Sequence, residues 1–220
     1  MCRGSGHAGR AARTGAEEGA ALFVRLVAML AAMGVERAGL VGHSLGGLVA
    51  VELALARAVE VSALVLIGSM GVGPQMSAAA RAFFLADPER LARALGAARF
   101  AKLSPLPEHA WGQRLAALEH ELMSVAGGRA TASAAFRRLY PVVGPAHHHR
   151  AQLGEIEAPA LVLWGQHDAA FPAPCALVAA AALQRGRAVV MGELGHSPHL
   201  QAPEETLEIV MAFLREAAPD

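Results

Sequence analysis

Apolar residues Leu22, Leu26, Met29, Leu30 and Met33 recur at the three- and four-residue spacing of a helix, and Gly34 supplies a stop. The pattern predicts a helix over 17–33 with one buried face. The run Gly39-Leu-Val-Gly42 predicts a short buried strand, and a second helix is expected from about Gly46 to Arg57. Ala63-Leu-Val-Leu-Ile67 is an uninterrupted apolar run, the type that a strand covered on both faces needs. Strand character returns at Ala160-Leu-Val-Leu-Trp164 and, after a helix opened by Pro172 and Pro174, at Ala188-Val-Val-Met191. A last helix from Pro203 carries the stripe Leu207, Val210, Met211 and Leu214.

Between Gly71 and about Glu155 the pattern changes. Ala-rich helical segments at 77–86, 88–99, 108–125 and 131–139 are broken by Pro and Gly, with no strand-like run among them. This organisation predicts a core formed by 1–70 and 156–220, with a helical lid inserted over 71–155. Strands alternating with helices predict an α/β fold, a mostly parallel sheet with helices on both faces, whose ligands bind at the carboxyl ends of the strands.

Composition narrows the partners. Nineteen basic and nineteen acidic residues leave a formal net charge of zero, so no basic patch suits nucleic acid or an anionic membrane surface. A small-molecule partner fits better. The apolar stretch Ala20–Met33 contains Arg25 and is too short to span a bilayer. The Arg-rich, acid-free first sixteen residues leave a transit peptide open as an alternative. Cys2 and Cys175 lie far apart without a metal-type spacing, which argues against a disulfide framework and makes the cytoplasm the expected compartment.

Three short segments carry candidate chemistry. Gly42-His-Ser-Leu-Gly46 is a G-x-S-x-G sequence between a predicted strand and a predicted helix. A serine on so sharp a turn takes a strained backbone, and small residues at 42 and 46 are expected to let the chain segments pass. Its hydroxyl is a weak nucleophile until a base removes the proton, and a carboxylate must fix the tautomer of that base. Asp168 lies just past strand 160–164 and His196 just past strand 188–191, so Ser44, Asp168 and His196 converge on one rim in the order Ser, Asp, His. His199 is an alternative base, and an N-cap or turn role is the alternative for Asp168.

With these motifs in place the chain resembles the α/β-hydrolase superfamily, in its lid-bearing serine-hydrolase branch. Val41-Gly-His-Ser-Leu-Gly-Gly47 resembles the nucleophile elbow, Leu163-Trp-Gly-Gln-His-Asp168 with Pro172 the acid loop, and Gly195-His-Ser-Pro-His199 with Pro203-Glu204 the histidine loop. The resemblance implies a Ser44–His196–Asp168 triad, an oxyanion donor at the Leu45 N–H, and cleavage of a carboxylic ester or related acyl bond. It also implies a fold whose first strands and oxyanion loop have no counterpart here, an N-terminally truncated version in which Gly6-His-Ala-Gly9 resembles the glycine-rich segment that follows the family's fourth strand. Strand 39–43 would then be an open edge, which invites pairing into an oligomer. A catalytically impaired remnant and a ligand-binding relative stay open as alternatives, as does an acyl acceptor other than water.

The remaining motifs read as structural. His147-His-His149 is expected to be a solvated loop rather than a metal site, because no cysteine or carboxylate cluster completes a ligand set. Gly68-Ser-Met-Gly-Val-Gly73 lacks a P-loop lysine and reads as the strand exit into the lid. Phe83, Phe84, Trp111 and Tyr140 could line an acyl pocket or pack the lid. Neither a cofactor nor a metal is expected.

Overall fold

The computed structural model describes residues 15–73, 76–78, 80, 95, 96, 99 and 149–217. The four predicted lid helices and the aromatic residues Phe83, Phe84, Trp111 and Tyr140 lie outside the described residues, apart from isolated positions, as does Gly6-His-Ala-Gly9. Among the described residues the elements run α1 (Gly15–Ala32), β1 (Arg37–His43), α2 (Leu45–Leu55), β2 (Glu60–Ile67), a 3-10 helix (Arg150–Glu155), β3 (Ala160–Gly165), α3 (Pro174–Ala182), β4 (Gly186–Met191), α4 (Pro198–Gln201) and α5 (Pro203–Ala217).

The strands form a parallel sheet in the order β1-β2-β3-β4. Register pairs Val65 with Val41 on one side and with Leu161 on the other, so alternate residues sort cleanly to the two faces. Leu64, Leu66, Ala160, Val162 and Trp164 pack with Ala50 and Val51 of α2 and with Cys175, Ala176 and Ala179 of α3. Ala63, Val65, Ile67, Leu161 and Leu163 pack on the other face with Val210 and Phe213 of α5. The apolar runs 63–67 of β2 and 160–164 of β3 follow from this two-sided cover, since no position within them faces water. Each large side chain buried there contributes about 2 kcal/mol.

Three expectations about burial need correction. Strand 39–43 is expected both as a buried run and as an open edge, and the buried reading gives way: β1 is the edge of the described sheet, with Val41 55% exposed. In α1 the inward row is Phe23, Leu26, Val27 and Leu30, whereas Met29 and Met33 point outward. In α5 the buried row is Thr206, Val210 and Phe213, while Leu207 and Met211 are exposed. Both helices are apolar over a wider arc than they bury, so spacing alone left the rotation of each helix undetermined.

The ends of the predicted lid segment belong to the packed core. Val72 is fully buried at one end, and Leu153 of the 3-10 helix is fully buried at the other. His149, just before that helix, is no solvated loop residue. Its Nε2 lies 3.5 Å from the Glu52 carboxylate on α2 and its Nδ1 3.0 Å from Gln152 Oε1, and the side-chain bond to Glu52 raises its pKa above the usual histidine value.

Candidate active site

Ser44 occupies the single-residue turn between β1 and α2 with φ 52° and ψ −116°, in the left-handed half of backbone space that non-glycine residues avoid. Two bonds, one to the last residue of β2 and one to the segment after it, hold it there. Its N–H donates to the Ile67 carbonyl, and its own carbonyl accepts the Met70 N–H, each at 3.0 Å. A Cβ at Gly42 would run into the carbonyl and backbone of Gly46 and Gly47, so the expected glycine at 42 has a steric cause. The expected one at 46 does not. A Cβ on Gly46 meets open space, and it is Gly47 whose Cβ would strike Ser69.

Asp168 follows β3 in a loop fastened at several points. The Trp164 indole N–H donates to the Phe171 carbonyl at 3.0 Å, and the Gln166 and His167 amides donate to the carbonyls of Met191, the last residue of β4, and Leu194 in the loop after it. Gly165 is required where the two loops cross, because a Cβ there would overlap the backbone of Leu194 and Gly195. Within the loop, Asp168 Oδ1 accepts the Ala170 and Phe171 amides at 2.8 and 2.9 Å. The turn role and the role toward His196 are therefore both filled, one by each oxygen.

His196 Nδ1 lies 2.9 Å from Asp168 Oδ2, and His196 Nε2 lies 3.1 Å from Ser44 Oγ. A carboxylate only accepts, so Nδ1 carries the ring proton and Nε2 is free to take the hydroxyl proton of Ser44. The Asp168 side chain is fully buried and that of His196 is 12% exposed. The ion formed when His196 gains a proton is thus screened little by water. Gly68, at φ 48°, lies beneath this pair, and a Cβ there would come within 2.9 Å of the His196 carbonyl and 3.2 Å of Nδ1.

Leu45 opens α2, so its N–H has no acceptor within the helix, and no other acceptor among the described residues takes it. It lies at the positive end of the helix dipole, beside the serine. His199, the alternative base, does not reach Ser44. Its ring packs against His43 at a centroid distance of 4.4 Å, and burial lowers its pKa. Cys175 is buried, and burial pushes its thiol up to about 11.

Two residues escaped the sequence reading. His43 lies between Gly42 and Ser44 in the elbow, with Nε2 2.9 Å from the His196 carbonyl, and Ser69 is the buried neighbour that demands Gly47. His43 was visible only as the variable position of a motif, and nothing in spacing links it to residue 196. A cavity of about 360 Å³ beside Arg57, Val59, Glu60 and Glu157 lies at the amino ends of β2 and β3, away from Ser44. No metal-holding group of His, Cys, Asp or Glu is present among the described residues. Nor is any helix among them long and apolar enough to cross a membrane.

The chain matches the Alpha/beta hydrolase family over residues 2–209. It belongs to that family. A relative from Klebsiella pneumoniae (strain 342), named "Putative carbamate hydrolase RutD", is 33% identical over 182 residues, which cover 81% of this chain and 66% of that protein. The chain thus spans about two thirds of the length of that relative. The esterase RhEst1 from Rhodococcus sp. ECU1013 is a structural neighbour with TM-score 0.69 and 25% identity, matched over 91% of this chain and 74% of its own. The serine hydrolase CCSP0084 from Cycloclasticus zankles shares the fold at TM-score 0.73 and 16% identity, over 98% of this chain and 77% of its own. The parallel sheet with helices on both faces is the family fold.

Proposed function

We propose that this chain is a serine hydrolase cleaving small-molecule carboxylic esters, with Ser44 as nucleophile, His196 as base and then acid, and Asp168 as the group that orients it. The observation that carries the reading is the unbroken chain of contacts from Ser44 Oγ through His196 to the buried Asp168 carboxylate, at 3.1 and 2.9 Å. His196 takes the Ser44 proton as Oγ attacks the ester carbonyl, and the imidazolium is held by Asp168. The oxyanion accepts the Leu45 N–H, and His196 returns the proton to the leaving alcohol. Water, deprotonated by the same imidazole, then releases the acid and restores Ser44. No cofactor enters these steps.

Esters rank first because they combine an activated carbonyl with a good leaving group, and a structural neighbour is named an esterase. A carbamate carbonyl admits the same attack, and the name of the Klebsiella relative favours that second reading. Labelling with a fluorophosphonate probe tests the shared chemistry. It is expected at Ser44 in the native chain and absent from Ser44→Ala, and a folded native chain that takes up no label overturns the reading. Turnover of matched 4-nitrophenyl esters and carbamates then ranks the two bonds.

A further inference from the structure

We infer that His43 is a positioning residue for His196, a neutral imidazole whose Nε2–H holds the main chain of the histidine loop in register with the nucleophile elbow. The inference rests on the serine-hydrolase reading and adds a residue to it.

A carbonyl oxygen has no proton to give, so the 2.9 Å contact between His43 Nε2 and the His196 carbonyl requires the proton on His43 Nε2. The Ser197 hydroxyl lies 3.4 Å from the same nitrogen. Residues 43 and 44, adjacent at the end of β1, therefore grip residue 196 twice, His43 by its carbonyl and Ser44 by its Nε2. With Asp168 on Nδ1, main chain and ring are both fixed, leaving the imidazole little freedom to swing from the serine. This matters because His196 lies on a loop, and the elbow and that loop are 152 residues apart in sequence.

The surroundings of His43 keep it uncharged. Its ring is tilted against those of His196 and His199, with centroids 4.8 and 4.4 Å away. Burial first, then the adjoining His196 and His199 rings, lower its pKa to about 4, against the opposing pull of the bond to the His196 carbonyl and of Asp168. A neutral His43 presents a donor to the loop without placing a second cation beside the imidazolium that His196 becomes during turnover. A lysine or arginine would supply a donor but also that repulsion.

The test replaces His43 by Gln, Asn and Leu. Gln carries an amide N–H to about the position of Nε2, Asn has the amide but falls short, and Leu fills space without a donor. The primary readout is the rate constant of fluorophosphonate labelling at Ser44 per labelled molecule. Misfolded protein lowers the extent of labelling and leaves that rate untouched. His43→Leu and His43→Asn are expected to label about 10- to 100-fold more slowly, as for a displaced catalytic group. They should lower kcat on 4-nitrophenyl butyrate with KM unchanged, and His43→Gln should stay within about threefold of the native rate. Wild-type rates in His43→Leu, or equal losses in Gln and Leu, overturn the positioning role. A native chain that takes no label at all instead overturns the serine-hydrolase reading, so the two failures are distinct.

Discussion

The Asp168 carboxylate is bound to the Phe171 amide through Oδ1 at 2.9 Å, which turns its other oxygen, Oδ2, toward His196. Asp168→Asn separates the two functions. The amide oxygen still accepts the backbone N–H groups, so the loop holds, but the amide nitrogen now donates to His196 Nδ1. That moves the ring proton to Nε2, where it blocks uptake of the Ser44 proton. Turnover of 4-nitrophenyl esters is expected to fall by about 10⁴-fold, as in the corresponding substitution of a serine protease, with little change in the urea midpoint.

The glycines of the elbow should differ sharply in tolerance. Gly47→Ala drives a methyl into Ser69 and is expected to destabilise by about 1–3 kcal/mol. Only Ser69→Gly should restore it, because a Cβ at 69 is itself within 2.6 Å of the new atom. Gly46→Ala meets open space in a helix and should raise stability by about 0.5–1 kcal/mol. Thermal midpoints of the three variants check this.

Stability should fall on both sides of neutrality for different reasons. His43, held at about 4, and His199, also lowered, stay neutral in the fold while the unfolded chain takes up protons below about 6.5. The unfolded state then binds more protons, so stability drops as pH falls from about 6.5 toward 4, by at most about 3 kcal/mol for His43. His149 has the opposite sign. Its pKa is raised by Glu52, so its contribution is complete below about 6.5 and is lost as pH rises through the folded value. Urea unfolding across pH should show His43→Gln flattening the acid limb. The deficit of His149→Gln should shrink as pH rises.

Strand positions and the order of the candidate site residues were legible in the sequence because each rests on a strong local signal. The fully covered stretches of two strands left unbroken apolar runs at 63–67 and 160–164, and the elbow left glycines around a serine. What stayed hidden depends on neighbours distant in the chain. Gly46 and Gly47 read alike until Ser69 is placed beside one of them. The buried faces of α1 and α5 are chosen by what they meet, as Thr206 and Phe213 show by turning inward while Leu207 points out. His149 reads as loop until Glu52 of α2 comes within reach, and the one-turn helix Pro198–Gln201 is too short for any periodicity to register.

Ser44 follows β1, while Asp168 and His196 follow β3 and β4, so the seam at which β2 meets β3 is where the two halves of the site are brought into alignment. Four residue pairs, Leu64 with Ala160 through Ile67 with Leu163, set that seam. A slip of one residue would carry the base about 3.3 Å along the strand, more than the whole Ser44–His196 separation, and would turn every core side chain of one half to the wrong face. On the proposed serine-hydrolase reading, labelling at Ser44 would for this reason act as a molecular caliper of sheet assembly, sensitive to a misalignment that leaves secondary-structure content unchanged.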